Sequence, residues 1–244
     1  MLKIILLNIG MVLGSTIVGP FFFVYLLATI NHNTKAMIAS RFGTGGQLIF
    51  GFLGIILHET SHLLVAIIFG HHIRSVRLIR RPTIDNPSLG YVNHTWRADS
   101  LYQKIGNLFI GIAPIFGCCT IILLLAKWLL PDIYSQLIVL TQRPLSQLYL
   151  TWPTFDWGNL LIFGLLTINI CIGGFDLSTA DYQNATQGLV ATILLLIVLT
   201  ILISGLPFGD TIQRAGMHFT KILMVISSFN LMISIILNLS FRLL

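Results

Sequence analysis

The chain has 244 residues, 55% of them hydrophobic and only 9% charged, with a formal net charge of +6 and three cysteines; its mean hydropathy is +0.89. That balance excludes an ordinary soluble domain and fits one polytopic membrane domain over residues 1–244, with room for about six spans and short connections. The basic residues gather in connections beside apolar runs, where they report topology and attraction to anionic headgroups rather than nucleic-acid binding.

The first apolar run, Ile4 to Ile30, follows Met1-Leu2-Lys3 and is interrupted by Pro20. It is longer than a signal-peptide core and has no small-x-small cleavage site, so it reads as a retained span. Asn31 to Gly46 is a polar stretch with Gly43, Gly45 and Gly46, expected to connect the first span to the second.

The second span, Gln47 to Gly70, is about 24 residues and long enough to cross a bilayer. Inside it stands Leu57-His58-Glu59-Thr60-Ser61-His62-Leu63, an H-E-x-x-H string in an otherwise apolar run. On a helix, i and i+4 share a face, so His58 and His62 can reach one metal ion. Glu59 projects about 100° away, close enough to touch a water on that metal without ligating it. Neutral imidazoles suit Zn²⁺, and a carboxylate beside a zinc-bound water is a general base. Charge in a span costs on the order of 2.5–3.5 kcal/mol, so His58, Glu59 and His62 are candidate functional residues rather than filler.

After Gly70 the composition turns basic, with Arg74, Arg77, Arg80, Arg81, Arg97 and Lys104. Ile73–Arg80 and Gly90–Trp96 are rich in β-branched and aromatic residues, separated by Pro82, Asp85-Asn86-Pro87 and Gly90. This predicts a short β-hairpin at the membrane surface. His71, His72 and His94 read as surface histidines beside headgroups rather than ligands.

A third span covers Ile105 to Leu130, with Gly106, Gly111, Pro114 and Gly117 permitting close helix approach. Pro131 to Asn159 is a connection whose Tyr149, Trp152 and Trp157 form an interfacial belt, and Ile133–Leu140 is expected to lie on the membrane. The fourth span runs from Leu160 to about Phe175 and the fifth from Gly188 to Ser204. Asp176 and Asp181 are the only charges between Leu160 and Gly209. Ser178-x-x-Asp181 has the form of a capping box, with Asp181 in the first turn of the next helix, where a carboxylate suits the dipole and can still point at a metal. Asp176 and Asp181 are both candidate third ligands, and Asp181 would lie about 4–5 Å deeper along the helix axis. A sixth span, Ile222 to Leu239, carries Asn230 and Asn238 as interhelical hydrogen-bonders. Cys118, Cys119 and Cys171 lie in apolar runs and read as buried, reduced thiols.

These residues carry a resemblance. The His58–His62 motif within a span resembles the site-2 protease family, intramembrane zinc metalloproteases that cut membrane-anchored substrates. Phe69-Gly70-His71-His72-Ile73 with Val76 and Leu78 resembles the segment that forms β-strands at that family's cytoplasmic face, and Gly111-Ile112-Ala113-Pro114 is similar to its small-residue-Pro element. Asp181 stands where the family supplies a carboxylate ligand from a later span, although no Leu-Asp-Gly surrounds it here. The likeness covers residues 47–205, in a compact form without a PDZ insertion. It implies one Zn²⁺ per chain on His58, His62 and Asp181, Glu59 as the catalytic base, and a membrane-anchored protein or peptide as substrate.

Six spans would put both termini, the hairpin and the 176–187 connection on one face of a cell membrane, cytoplasmic by its basic residues. His62 would lie about 12 Å below that face. The contrasting expectation is a non-enzymatic multi-pass protein, either a metal-binding transporter or an immunity or partner protein. Glu59 is the only glutamate in the chain, which excludes a glutamate third ligand within one subunit. The oligomeric state is not written in the sequence.

Overall fold

The computed structural model describes residues 2–83, 88–143, 152–154, 156–204 and 209–243. The protein is all-α and polytopic; the described residues include six helices long and apolar enough to cross a membrane and one small antiparallel sheet. Helix α1 (Leu2–Leu13) passes through a π-helical turn, Gly14–Val18, into α2 (Gly19–Ile68). Pro20 therefore does not interrupt the span. It stands at the start of α2, and the wide turn before it absorbs the N–H that proline lacks.

The stretch expected to be a polar connection is helical almost to its end. The reversal is confined to Gly43, whose φ of 70° lies in the left-handed region that a side chain disfavours. It splits α2 into a first limb, continuous with α1 (Leu2–Gly43), and a second limb (Gly45–Ile68). The polar residues of 31–35 stay in the helix because they bond to other helices. Asn31 donates to Ser234 Oγ at 3.0 Å, Thr34 Oγ1 accepts from Asn238 at 2.9 Å, and Lys35 donates to Asp176 at 2.9 Å.

The second limb ends at the hairpin, β1 (His72–Arg77) and β2 (Tyr91–Thr95), close to the expected strands; the turn residues 84–87 lie outside the described residues. Helix α3 (Leu101–Leu129) starts at Ser100, whose Oγ accepts from Gln103 N at 3.3 Å. It runs antiparallel to the second limb of α2, since His62 meets Ile110. Helix α4 (Pro131–Gln142) fills the segment expected to lie on the membrane. Of the aromatic belt, Trp152 and Trp157 are strongly exposed, and Tyr149 lies outside the described residues.

Helices α5 (Trp157–Gly174) and α6 (Thr179–Ser204) hold the site. Thr154, just before α5, donates to Asp132, just after α3, so α5 starts at the C-terminal end of α3. Its last residue reaches His58, in the middle of α2's second limb. Helix α6 then leads from Gly111, which abuts Asp181, towards Lys104 and Leu108, which abut Gly188. Thus α5 and α6 advance in the same sense, and their connection lies level with His58. Glycines make the approach possible: a Cβ on Gly54 would stand 2.6 Å from Ile170 O and 2.7 Å from Gly174 N.

Helix α7 (Gly209–Leu243) lies parallel to the first limb: Asn8 meets Gln213, Asn31 meets Ser234 and Thr34 meets Asn238. The chain ends therefore lie at opposite ends of this helix pair. Asn238 joins two helices as expected, whereas Asn230 donates to Ile226 O of its own helix. The three cysteines are buried and free.

Candidate metal centre

His58 and His62 face one side of α2, one turn apart, with ring centroids 4.8 Å apart. His58 Nδ1 donates to Gly174 O at 3.0 Å, and His62 Nδ1 donates to Ile110 O at 2.7 Å. A backbone carbonyl only accepts, so each neutral ring carries its proton on Nδ1 and turns a bare Nε2 inward. The two Nε2 atoms are 3.1 Å apart.

Asp181 closes the group. Its Oδ1 is 3.0 Å from His62 Nε2 and its Oδ2 is 3.7 Å from His58 Nε2. The capping geometry expected from Ser178 is present: Ser178 N donates to Asp181 Oδ2 at 2.6 Å, and Ser178 Oγ accepts from Asp181 N at 3.2 Å. The cap leaves the carboxylate able to ligate, since the box fixes it at the head of α6 with Oδ1 directed at the imidazoles.

Two lone pairs and a carboxylate converging in a buried space repel one another unless a metal ion or a proton lies between them. The potential ligand atoms of His58, His62 and Asp181 all lie within 4.8 Å of one another, and all three residues are buried. The group could hold a metal ion. The Gly174 and Ile110 carbonyls on the two Nδ1 atoms fix the tautomers that ligation would require.

Asp176 is not brought to this group. Its carboxylate accepts from Lys35 Nζ at 2.9 Å and from His32 Nδ1 at 3.0 Å, tying the first limb of α2 to the α5–α6 connection. Glu59, 8% exposed, faces the same cavity as His62 and makes no hydrogen bond to any described residue. Gly90, ahead of β2, packs on it: a Cβ there would stand 2.6 Å from Glu59 Cγ and 2.9 Å from Oε1.

The cavity measures about 460 Å³ and is floored by the metal group, with β2 from Tyr91 to His94 along one side and Asn184 beyond Asp181. Gly90, His94 and Asn184 were not singled out by sequence as site residues. Asn184 stands three positions after Asp181, a helical spacing that could have flagged it. His94 meets His71 at 2.9 Å, Nδ1 to Nδ1, and burial, the His71 ring and the His62 ring together push its pKa down from 6.5 to about 4. Burial also lowers the pKa of His71.

No family model, curated protein or solved structure matches the chain, so what is said of this centre rests on its own geometry.

Proposed function

We propose that the protein is an intramembrane zinc metallopeptidase of the site-2 protease kind, cutting membrane-anchored proteins or peptides. The observation that carries this reading is the convergence of two Nδ1-protonated histidines and a capped aspartate beside a glutamate that has no hydrogen-bond partner among the described residues. His58, His62 and Asp181 would hold one Zn²⁺, leaving a fourth position open. When bound, the metal supplies an acidified water and polarisation of the scissile carbonyl.

The chain's own residues supply the rest. Glu59, free of other hydrogen bonds, takes the proton of the attacking water and delivers it to the leaving amine. Gly90 keeps space above Glu59 so that the carboxylate stays over the cavity. A transmembrane helix shields its own carbonyls, so a substrate must unwind before cleavage. Strand β2 pairs with β1 on one edge, and its other edge borders the cavity without a partner strand among the described residues. An extended substrate can add there by β-augmentation. The hairpin's arginines favour a cytoplasmic position for that face, with the N-terminus on the same side and the C-terminus opposite.

The test compares membrane peptides that accumulate in cells carrying wild-type protein or Glu59→Gln. The reading expects specific fragments in the first that are absent from the second, with equal zinc in both purified proteins. Identical peptide profiles would contradict it.

A further inference from the structure

We infer that Asn184 binds the scissile carbonyl of the substrate, its amide oriented for that task by a hydrogen-bond chain through His94 and His71; the inference rests on the peptidase reading above.

The chain has only one direction. His71 Nε2 lies 2.9 Å from Gln103 O, a backbone carbonyl that can only accept, so the proton is on Nε2. His71 Nδ1 is then a bare acceptor, and His94 Nδ1, 2.9 Å away, must donate to it. That leaves His94 Nε2 as a lone pair, and the group 3.4 Å from it is Asn184 Nδ2. The nitrogen of the Asn184 amide therefore faces His94. Burial keeps both rings neutral, His94 down to about pH 4, so the direction does not reverse near neutrality.

This assignment divides the labour. His94 faces the cavity as an acceptor and cannot stabilise a developing oxyanion. Asn184 spends one N–H on His94 and keeps the second, which has no partner among the described residues. Two other nitrogen donors on the cavity wall are engaged, Lys35 by Asp176 and Asn93 by Ser75 at 3.1 Å. Asn184 stands on the same face of α6 as Asp181, one turn on, about 4.5 Å along the axis, and both line the cavity with Glu59. On the other wall, the pairing register shifts between Ile73 and Ser75, directly opposite His94. A neutral donor held in advance where charge develops is the usual means of stabilising a tetrahedral intermediate.

The experiment uses zinc-loaded, detergent-solubilised full-length protein with unfolded casein as the polypeptide probe. Asn184→Ala should lower kcat about 100-fold, the usual cost of one oxyanion donor, with KM within about twofold and zinc unchanged. Asn184→Asp, which keeps the shape but has no N–H, should fall at least as far. His94→Ala should lose about tenfold, and His94→Gln, whose side-chain oxygen can accept the same N–H, should recover most of it. In zinc-free protein, ¹⁵N imidazole spectra should show His94 protonated on Nδ1 and His71 on Nε2. If Asn184→Ala and Asn184→Asp keep kcat and only raise KM or lower Tm, the contact is a clasp between hairpin and α6, and the inference is overturned. A proton on His94 Nε2 would overturn it as well. If zinc-loaded wild type and Glu59→Gln are equally inert towards casein, the peptidase reading itself fails, and the inference with it.

Discussion

Two histidine pairs lie beside one cavity at almost the same spacing, yet they are built for different tasks. Ring centroids are 4.8 Å apart in His58–His62 and 4.9 Å apart in His71–His94. In the first pair both Nδ1 protons go to backbone carbonyls, so both Nε2 lone pairs meet and a carboxylate joins them. In the second, donors and acceptors alternate from Asn184 to Gln103 and every contact is satisfied without a cation. Proximity of two imidazoles does not make a metal site. The backbone groups behind them decide where the protons sit, and hence whether a cation is required.

The largest effect should come from breaking the first pair. His58→Ala or His62→Ala should abolish zinc binding, whereas His71→Ala should leave about one zinc per chain, as read by metal analysis of the purified proteins. Zinc lost equally from both pairs would erase the distinction.

Gly90→Ala should come next, because a methyl group there meets Glu59. Zinc should stay, and peptidase activity should fall by about 100-fold, the cost of displacing a catalytic group by roughly an ångström. Retained activity would mean that Glu59 tolerates the shift.

Asp181 offers a finer separation of ligation from capping. Asp181→Asn keeps an acceptor for Ser178 N but removes the charge, and should weaken zinc retention strongly in a chelator competition. Ser178→Ala removes the cap alone and should cost about 1 kcal/mol of stability with zinc affinity near wild type. Asp176→Ala should also leave zinc near wild type, since its carboxylate serves Lys35 and His32. The opposite ranking of the two aspartates would move the ligand to Asp176.

The smallest effect concerns pH and the second pair. His94 stays neutral in the fold to about pH 4, while the unfolded chain takes up a proton near 6.5. Its contribution is therefore unimpaired above about pH 6.5 and erodes as pH falls towards 4. Thermal unfolding scans should show that erosion in wild type and less of it in His94→Gln. Equal slopes would mean that His94 is not held neutral.

Much of the metal centre was legible because it is local. The i, i+4 spacing of His58 and His62, the lone glutamate between them, and the Ser178-x-x-Asp181 cap each depend on a single helix turn. The hairpin was legible from its β-branched runs and turn residues for the same reason. What escaped was what depends on partners distant in sequence. Asn31, Thr34 and Lys35 looked like a solvated connection, but Ser234, Asn238 and Asp176 satisfy them and the helix continues. The fourth span was expected to end at about Phe175, just past Gly173 and Gly174, with its connection at one membrane face. Those glycines instead let α5 press against Gly51 and Gly54 and stop at the depth of His58, so that the connection to α6 delivers Asp181 from within. Counting spans could not reveal that. His71 and His94 read as headgroup residues because hydropathy does not register a hydrogen-bond chain across three elements.

The central claim is that His58, His62 and Asp181 form a zinc site with an open position. Zinc K-edge absorption on the loaded wild-type protein tests it most directly. The account predicts one zinc per chain with nitrogen and oxygen scatterers only, at about 2.0–2.2 Å, including two imidazoles that disappear with the metal in His58→Ala. Sulfur scattering at about 2.3 Å from Cys118, Cys119 or Cys171 would contradict it, as would folded wild-type protein that takes up no zinc.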